Sequence, residues 1–225
     1  MASLKPFYLL LGAIAIVGGG AIFLSARGGS DPESRVVAPL SAEGADPGAL
    51  PGHVMGSEAA LIEVQEYADF QCPACQRFAI LTMPDVVQRY INTGRVRWRF
   101  MHFPLSGHAN SPAAHEAAAC ASEQGKFWEM HDQIYYNQSR WAFARNPERL
   151  FREYAEKVGV DLKQQESCLA SDRYASRFAS TVQAAAAKGV NSTPTFVIGR
   201  TMFSSALPFD QFKVILDSAL AARQP

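Results

Sequence analysis

The chain has 225 residues, of which 48% are hydrophobic, and it carries 21 basic and 21 acidic residues. This length and composition are typical of one globular domain with a sizeable core, and they exclude disordered and collagen-like chains. Because the sequence has no excess of basic charge to neutralise phosphates, a nucleic-acid partner is not expected.

The N-terminal segment, residues 1–26, differs from the rest of the chain. No charged residue occurs between Phe7 and Leu24, and this stretch could span about 27 Å of hydrocarbon at about 1.5 Å per residue. Cleavage after Ala26 would place Leu24 where a signal peptidase requires a small residue. We therefore predict an N-terminal transmembrane anchor, with a cleaved signal segment as the alternative. Lys5 favours a cytoplasmic N-terminus, which places the rest of the chain outside the cytoplasm, where disulfides persist.

The next segment, residues 27–57, is rich in Gly, Pro, Ser and Ala and has little apolar periodicity. Such a composition is typical of a flexible linker, which would hold the following domain away from the membrane. The folded domain is therefore expected over residues 58–225.

A strand–helix–strand unit is predicted at the start of this domain. The apolar and β-branched run from Ala59 to Tyr67 indicates a buried strand, and Pro73 suits the first position of a helix. Pro84 lies inside the helical pattern and should interrupt it. The partly alternating segment from Arg95 to Phe103 indicates a second strand. Cys72 would then lie at the turn between the first strand and the helix.

The remainder of the domain is predicted to be a helical block followed by a hairpin and a helix. Helical patterns follow one another between about residues 108 and 189, where strand signals are nearly absent. Two short β-rich segments then flank Gly199 and Arg200, a pair suited to a tight hairpin turn. A final amphipathic helix is expected from Pro208 to Ala222.

The first two of the four cysteines, Cys72, Cys75, Cys120 and Cys168, form a C-x-x-C motif. A zinc ribbon would need a second close pair or a pair of histidines at ligand spacing, and the sequence has neither. A purely structural disulfide between Cys72 and Cys75 would close a loop too short to constrain much of the unfolded chain. At a helix N-terminus, however, main-chain N–H groups and the helix dipole stabilise a thiolate. We therefore interpret Cys72 as the nucleophile and Cys75 as the resolving cysteine.

Cys120 and Cys168 are predicted to form a second, structural disulfide. Each lies inside a helical pattern among small or apolar neighbours, away from a helix N-terminus that would favour a thiolate. The bridge would close a loop of about 48 residues and stabilise the fold by about 4 kcal/mol in the chain-entropy model. Two unpaired, buried cysteines are the alternative.

Four blocks of the sequence together resemble the DsbA-like thiol:disulfide oxidoreductases of the thioredoxin superfamily: C-P-A-C after EYADF, HFPL, CASEQGKFWEMHDQIY and GVNSTPTFVIG. The resemblance covers residues 57 to 222. It implies an α/β architecture, namely a thioredoxin fold with an inserted helical domain. It also implies that Cys72 and Cys75 are the redox pair and that Pro194 is the cis-proline beside it. Ala74 stands where the best-known members carry His, so a very strongly oxidising potential is not expected.

Thr193 and Pro194 precede a predicted strand that should lie beside the Cys72 helix. An X-Pro bond is the common place for a cis peptide, and a cis bond here would leave groups of Thr193 free to pair with an extended substrate. A trans proline at the start of an edge strand is the alternative.

Glu66 matches, by the same resemblance, the buried acid beneath the disulfide of the family. In that position it could relay a proton to or from Cys75. Two alternatives remain open: Glu66 could be an exposed strand residue next to Gln65, and Asp69 could be the acid nearer the cysteines. The histidines are interpreted as packed or surface residues.

These features predict an extracytoplasmic, membrane-tethered thiol:disulfide oxidoreductase that introduces disulfides into exported proteins. Thiol exchange needs no bound cofactor and no metal. The expected partners are reduced exported proteins and, as the resemblance implies, a membrane quinone-linked thiol oxidase. The same chemistry run as a disulfide reductase or isomerase is one alternative. A chaperone or metallochaperone that uses the cysteines only to hold peptide or Cu(I) is another.

Overall fold

The computed structural model describes residues 49–223. The predicted anchor or signal segment, residues 1–26, lies outside the described residues. Within residues 49–223, no helix combines the length and the apolar character needed to cross a membrane.

The described strands are β1 (His53–Met55), β2 (Ile62–Ala68), β3 (Val96–His102), β4 (Thr195–Ile198) and β5 (Thr201–Ser204). They form one mixed sheet in the order β1-β3-β2-β4-β5. β2 and β3 are parallel, and the pairs β1 with β3, β2 with β4, and β4 with β5 are antiparallel. The predicted hairpin joins β4 to β5, and Gly199 in its turn has a φ of 59°, a value that glycine adopts without steric cost.

The described helices are α1 (Pro73–Leu81), α2 (Met83–Val86), α3 (Ser111–Ser122), α4 (Phe127–Tyr136), α5 (Gln138–Trp141), α6 (Glu148–Lys157), α7 (Leu162–Ala170), α8 (Ala175–Ala187) and α9 (Phe209–Ala221). A π-helical turn, Val87–Ile91, follows α2 directly. As predicted, the first helix ends before Pro84, which lacks the N–H that would continue it. Helices α3 to α8 form the predicted helical block between β3 and β4.

The prediction of a flexible linker over residues 27–57 is wrong for its C-terminal residues. Residues 53–55 form β1, which pairs with β3 at one edge of the sheet. Leu50 is buried against Phe178, and its N–H donates a hydrogen bond of 2.9 Å to the Thr181 hydroxyl. A strand of three residues is too short to produce an alternating pattern, so the Gly and Pro content around it dominated the prediction.

The two faces of the sheet bury different clusters. On one face, Trp98 of β3 and Phe196 of β4 pack with residues of α1 and α9. On the other face, Tyr67 of β2 and Val197 of β4 pack against α8. A third cluster joins the C-terminal end of β2 to helices α3, α4 and α6 and contains Cys72 and Cys75. The helical block is therefore packed directly against the cysteine motif.

Candidate active site

Cys72 lies at the junction between the sheet and α1, at the end of a turn formed by residues 69–72, which we call the redox turn. Cys72 has extended dihedral angles and is the N-cap of α1, and Pro73 occupies the first turn of the helix. The Cys72 N–H donates to the carbonyl oxygen of Asp69 at 3.1 Å. The exposed fraction of Cys72 is 7%, whereas Cys75 is completely buried. Both residues are free thiols.

The two thiols have opposite pKa shifts. The pKa of Cys72 is lowered to about 5, mainly by a hydrogen bond with the Cys75 side chain. Burial opposes this shift, and the main-chain N–H groups of Ala74 and Cys75 add to it. The pKa of Cys75 is raised well above its ordinary value, first by burial and then by its interaction with Cys72. The site therefore has one sulfur that is stable as a thiolate and one that is stable as a thiol.

Thr193, the residue before Pro194, lies beside Cys72. The Thr193–Pro194 peptide bond is cis. The Cys72 sulfur is 3.4 Å from the Thr193 carbonyl oxygen. Among residues 49–223, the buried Thr193 hydroxyl has no hydrogen-bond partner. The carbonyl oxygen of Thr193 thus lies directly beside the Cys72 sulfur.

Glu66 is buried, so the alternative of an exposed strand residue is wrong. Its side chain accepts a hydrogen bond of 3.0 Å from the indole nitrogen of Trp98. Burial raises the pKa of Glu66 to about 7, although this hydrogen bond acts in the opposite direction. The charge of Glu66 also contributes to the raised pKa of Cys75. A carboxyl group whose pKa is raised to about 7 therefore lies within electrostatic range of the Cys75 thiol.

Asp69, the alternative acid, has a different environment. It is completely buried, and each of its two carboxyl oxygens accepts hydrogen bonds from two protein donors. Both carboxyl oxygens of Asp69 are therefore engaged by donors other than the cysteines.

Three histidines, His53, His102 and His115, form a hydrogen-bonded chain that sequence reasoning missed. The Nε2 atoms of His53 and His102 are 2.8 Å apart, and the Nδ1 atoms of His102 and His115 are 2.6 Å apart. His115 Nε2 accepts a hydrogen bond of 3.4 Å from the N–H of Phe70. These histidines lie far apart in sequence, so no spacing pattern announces the chain. In the described part of the molecule, no cluster of side chains is suited to hold a metal ion.

All three members of the histidine chain have lowered pKa values. Burial is the largest cause in each case, and it lowers the pKa of His53 to about 3 and that of His115 to about 4. The pKa of His102 falls well below its ordinary value, with a further contribution from the charges of its histidine neighbours. All three histidines are therefore neutral at physiological pH.

Amide side chains connect the redox turn to the helical block. The Gln138 side chain donates to the carbonyl oxygens of Phe70 and Cys72, at 2.7 and 3.0 Å. Gln71 donates to the carbonyl oxygen of Ala142 at 2.7 Å. The next residue, Phe143, is 92% exposed. Sequence reasoning did not identify these glutamines, because bonds from a side chain to a distant main-chain group leave no pattern in the sequence.

Cys120 of α3 and Cys168 of α7 form a disulfide in the structure. Their sulfurs are 2.00 Å apart and their Cα atoms 5.7 Å apart. Both residues are almost fully buried. This bridge joins two helices of the helical block, and Cys72 and Cys75 take no part in it.

Comparison with known proteins identifies relatives of two kinds. A family model described as Thioredoxin matches residues 49–218. Na(+)/H(+) antiporter NhaA 3 of Salinispora tropica is 36% identical over 171 residues, which cover 76% of this chain and 25% of the antiporter. Probable disulfide bond formation protein D of Bacillus cereus is 33% identical over 87 residues, which cover 38% of this chain and 40% of that protein. The chain thus spans less than half the length of either relative.

The fold is also similar to that of a solved structure. The crystal structure of alpha-DsbA1 from Wolbachia pipientis matches with a TM-score of 0.70 and 20% identity, covering 77% of this chain and 94% of that one. At this level of identity the likeness concerns the fold, a sheet of the thioredoxin type with an added helical block.

Proposed function

Since this chain belongs to the thioredoxin superfamily and is DsbA-like, we propose that it is an extracytoplasmic thiol:disulfide oxidoreductase that introduces disulfides into exported proteins. The redox pair is Cys72 and Cys75. The observation that carries the proposal is the contrast between the two thiols at the N-terminus of α1: the pKa of Cys72 is lowered to about 5, and that of the buried Cys75 is raised.

The reaction starts from the oxidised enzyme, in which the two cysteines form a disulfide. A substrate thiolate attacks the Cys72 sulfur, a mixed disulfide forms, and Cys75 leaves as a thiolate that takes up a proton. The second substrate thiolate then attacks the substrate sulfur of the mixed disulfide. The substrate gains its disulfide, Cys72 leaves as a thiolate, and two electrons have passed to the enzyme.

Glu66 supplies the proton in this scheme. In its protonated form it can neutralise the Cys75 thiolate, which is unstable in its buried position. The Cys72 thiolate needs no proton, because the first turn of α1 stabilises it. Thr193 and Pro194 border the position of the mixed disulfide, where the main chain of Thr193 can pair with an extended substrate.

The lowered pKa of Cys72 favours the oxidase direction over reduction or isomerisation. A stable Cys72 thiolate stabilises the reduced enzyme, and stabilisation of the reduced form makes the couple more oxidising. Each turnover leaves the enzyme reduced, so a membrane quinone-linked thiol oxidase would have to reoxidise it. The relative named as a disulfide bond formation protein supports this kind of role.

The test is the oxidation of a reduced peptide that contains two cysteines, followed with the full chain and with Cys72→Ser. We expect turnover in the presence of an oxidant and none with Cys72→Ser. Faster reduction of a substrate disulfide than oxidation of the peptide would favour the reductase alternative. Binding of peptide or Cu(I) without any exchange would favour a chaperone or metallochaperone.

The location of the protein is tested separately. If residues 1–26 anchor the chain, the mature protein keeps them and fractionates with membranes, with Cys72 accessible to a reagent that does not cross the membrane. Recovery of a soluble chain that begins after residue 26 would support the cleaved signal segment instead.

A further inference from the structure

The carboxyl group of Asp69 is surrounded by hydrogen-bond donors. Its Oδ1 accepts hydrogen bonds from the Gln71 N–H and the Ser111 hydroxyl, both at 2.7 Å. Its Oδ2 accepts from the Leu105 N–H at 2.8 Å and from His108 Nδ1 at 2.7 Å. These donors come from the redox turn, from the loop after β3 and from the start of α3. A single buried carboxyl group therefore joins three segments of the chain.

A carboxyl group satisfies this arrangement, and a side-chain amide does not. Each oxygen faces one main-chain N–H, from Gln71 or from Leu105, and a main-chain N–H cannot act as an acceptor. If Asn replaced Asp69, its NH₂ group would face one of these N–H groups in either orientation of the amide. The substitution Asp69→Asn, which is nearly isosteric, therefore leaves a buried donor without an acceptor.

The same residue holds the main chain on the approach to Cys72. The Asp69 carbonyl oxygen accepts a hydrogen bond of 3.1 Å from the Cys72 N–H. The Asp69 carboxyl group accepts a second hydrogen bond from the N–H of Gln71, the residue just before Cys72. The Gln71 side chain is also fixed, because it donates to Ala142 O at 2.7 Å and accepts from Asn110 N–H at 2.8 Å. Hydrogen bonds within the redox turn, together with bonds to Asn110 and Ala142, therefore fix the position of its main chain.

We propose that Asp69 is a positioning residue for the reaction, which fixes the Cys72 sulfur over the N–H groups of the first turn of α1 without touching the substrate. This inference rests on the proposed function in taking Cys72 as the nucleophile. A small displacement of the redox turn would move the sulfur away from the N–H groups of Ala74 and Cys75, which favour its thiolate. Displacements of about 1 Å can change rates by about a hundredfold.

If Asp69 acted only through its negative charge, its substitution would change the pKa of Cys72 in the opposite direction. Removal of a nearby negative charge would stabilise the Cys72 thiolate and lower its pKa, whereas loss of positioning raises it. The other titratable groups around the redox turn are Cys75 of α1, Glu66 of β2, His108, His115 of α3 and Tyr135 of α4. They are the same in the wild type and in the variant, so the sign of the change separates the two roles.

The test is the rate of Cys72 alkylation as a function of pH, measured on the reduced full chain with iodoacetamide. For Asp69→Asn we expect a pH profile shifted upward and a rate at pH 6 that is about tenfold lower than in the wild type. Ser111→Ala removes one donor and keeps the carboxylate, and it should lower the rate by about twofold to threefold, because three of the donors remain. Asp161→Ala is the matched control, since it removes the exposed N-cap of α7, far from Cys72 in sequence.

The control should melt at a lower temperature and keep the wild-type alkylation profile. If Asp69→Asn also melts lower but its alkylation profile is unchanged or shifted downward, the proposal is overturned. If Asp69→Asn does not fold, an unchanged profile in Ser111→Ala overturns it. Alkylation uses no protein substrate, so a wild-type chain that fails to oxidise the test peptide would contradict the proposed function and leave this inference standing.

Discussion

The indole N–H of Trp98 donates a hydrogen bond of 3.0 Å to the Oε2 of Glu66 inside the sheet. Trp98 lies opposite Val64 in the register of β2 and β3, so the bond reaches diagonally to the residue two positions further along β2. Both side chains are buried, and burial raises the pKa of Glu66 to about 7. At moderately acidic pH, a neutral carboxyl group is therefore held within electrostatic range of Cys75.

The substitution Glu66→Gln should remove a component of the pH dependence of stability. The folded-state pKa of Glu66, about 7, lies above the ordinary value of 4.5. Binding of a proton to Glu66 therefore stabilises the folded protein, fully below about pH 4.5, and this stabilisation is lost as pH rises through about 7. Between these pH values the free energy of unfolding of the wild type should fall by roughly 3 kcal/mol relative to that of Glu66→Gln. Urea unfolding of both proteins at pH 5 and pH 8, in the same redox state, measures this difference. Parallel curves for the two proteins would contradict it.

The histidine chain should destabilise the protein in acid. The pKa values of His53, His102 and His115 are lowered in the fold, so the unfolded chain binds more protons below about pH 6.5. The free energy of unfolding should then fall by about 1.4 kcal/mol per pH unit for each such histidine, down to its folded-state pKa. His53→Gln should reduce the slope between pH 6 and pH 5 by one such increment, as measured by urea unfolding. An unchanged slope would mean that His53 is not buried as a neutral group.

Cys72 should react with iodoacetamide at acidic pH, and Cys75 should not. At pH 6 a thiol with a pKa of about 5 is largely ionised, whereas an ordinary thiol is almost entirely protonated. We expect Cys75→Ser, which keeps Cys72 and a hydroxyl donor beside it, to react about a hundredfold faster than Cys72→Ser. Mass spectrometry of the alkylated peptides identifies the site. Preferential labelling of Cys75 in the reduced wild type would reverse the roles of the two cysteines.

The disulfide between Cys120 and Cys168 should contribute to stability and not to turnover. It closes a loop with a sequence separation of 48, for which the chain-entropy model gives about 4 kcal/mol. The double variant Cys120→Ala with Cys168→Ala should melt at a lower temperature and oxidise the test peptide at the wild-type rate. Thermal unfolding and the peptide assay on the same preparation measure both quantities. Loss of turnover in a folded double variant would show that this pair takes part in electron transfer.

The order of most elements and the place of the cysteine motif could be predicted from the amino-acid sequence alone. The last helix, predicted from Pro208 to Ala222, is observed as α9 over Phe209–Ala221, and Pro73 and Cys72 occupy the expected positions at the start of α1. These features are local, because helical periodicity and capping depend on residues within one or two turns. The strand β1 escaped prediction because three residues are too few for a pattern, and its partner β3 lies more than 40 residues away.

The contacts between distant groups at the site could not be predicted from the sequence, because they depend on the folded arrangement of the chain. Cys72 and Thr193 are 121 residues apart, and His53 and His102 are 49 apart, yet each pair is in direct contact. The burial of Glu66 and the four donors around Asp69 likewise come from segments that the fold brings together. Burial and hydrogen bonding between segments set the pKa of a side chain, and both depend on how the chain folds back on itself. The residue types indicate the chemistry, but the three-dimensional packing assigns Glu66 and Asp69 their different environments.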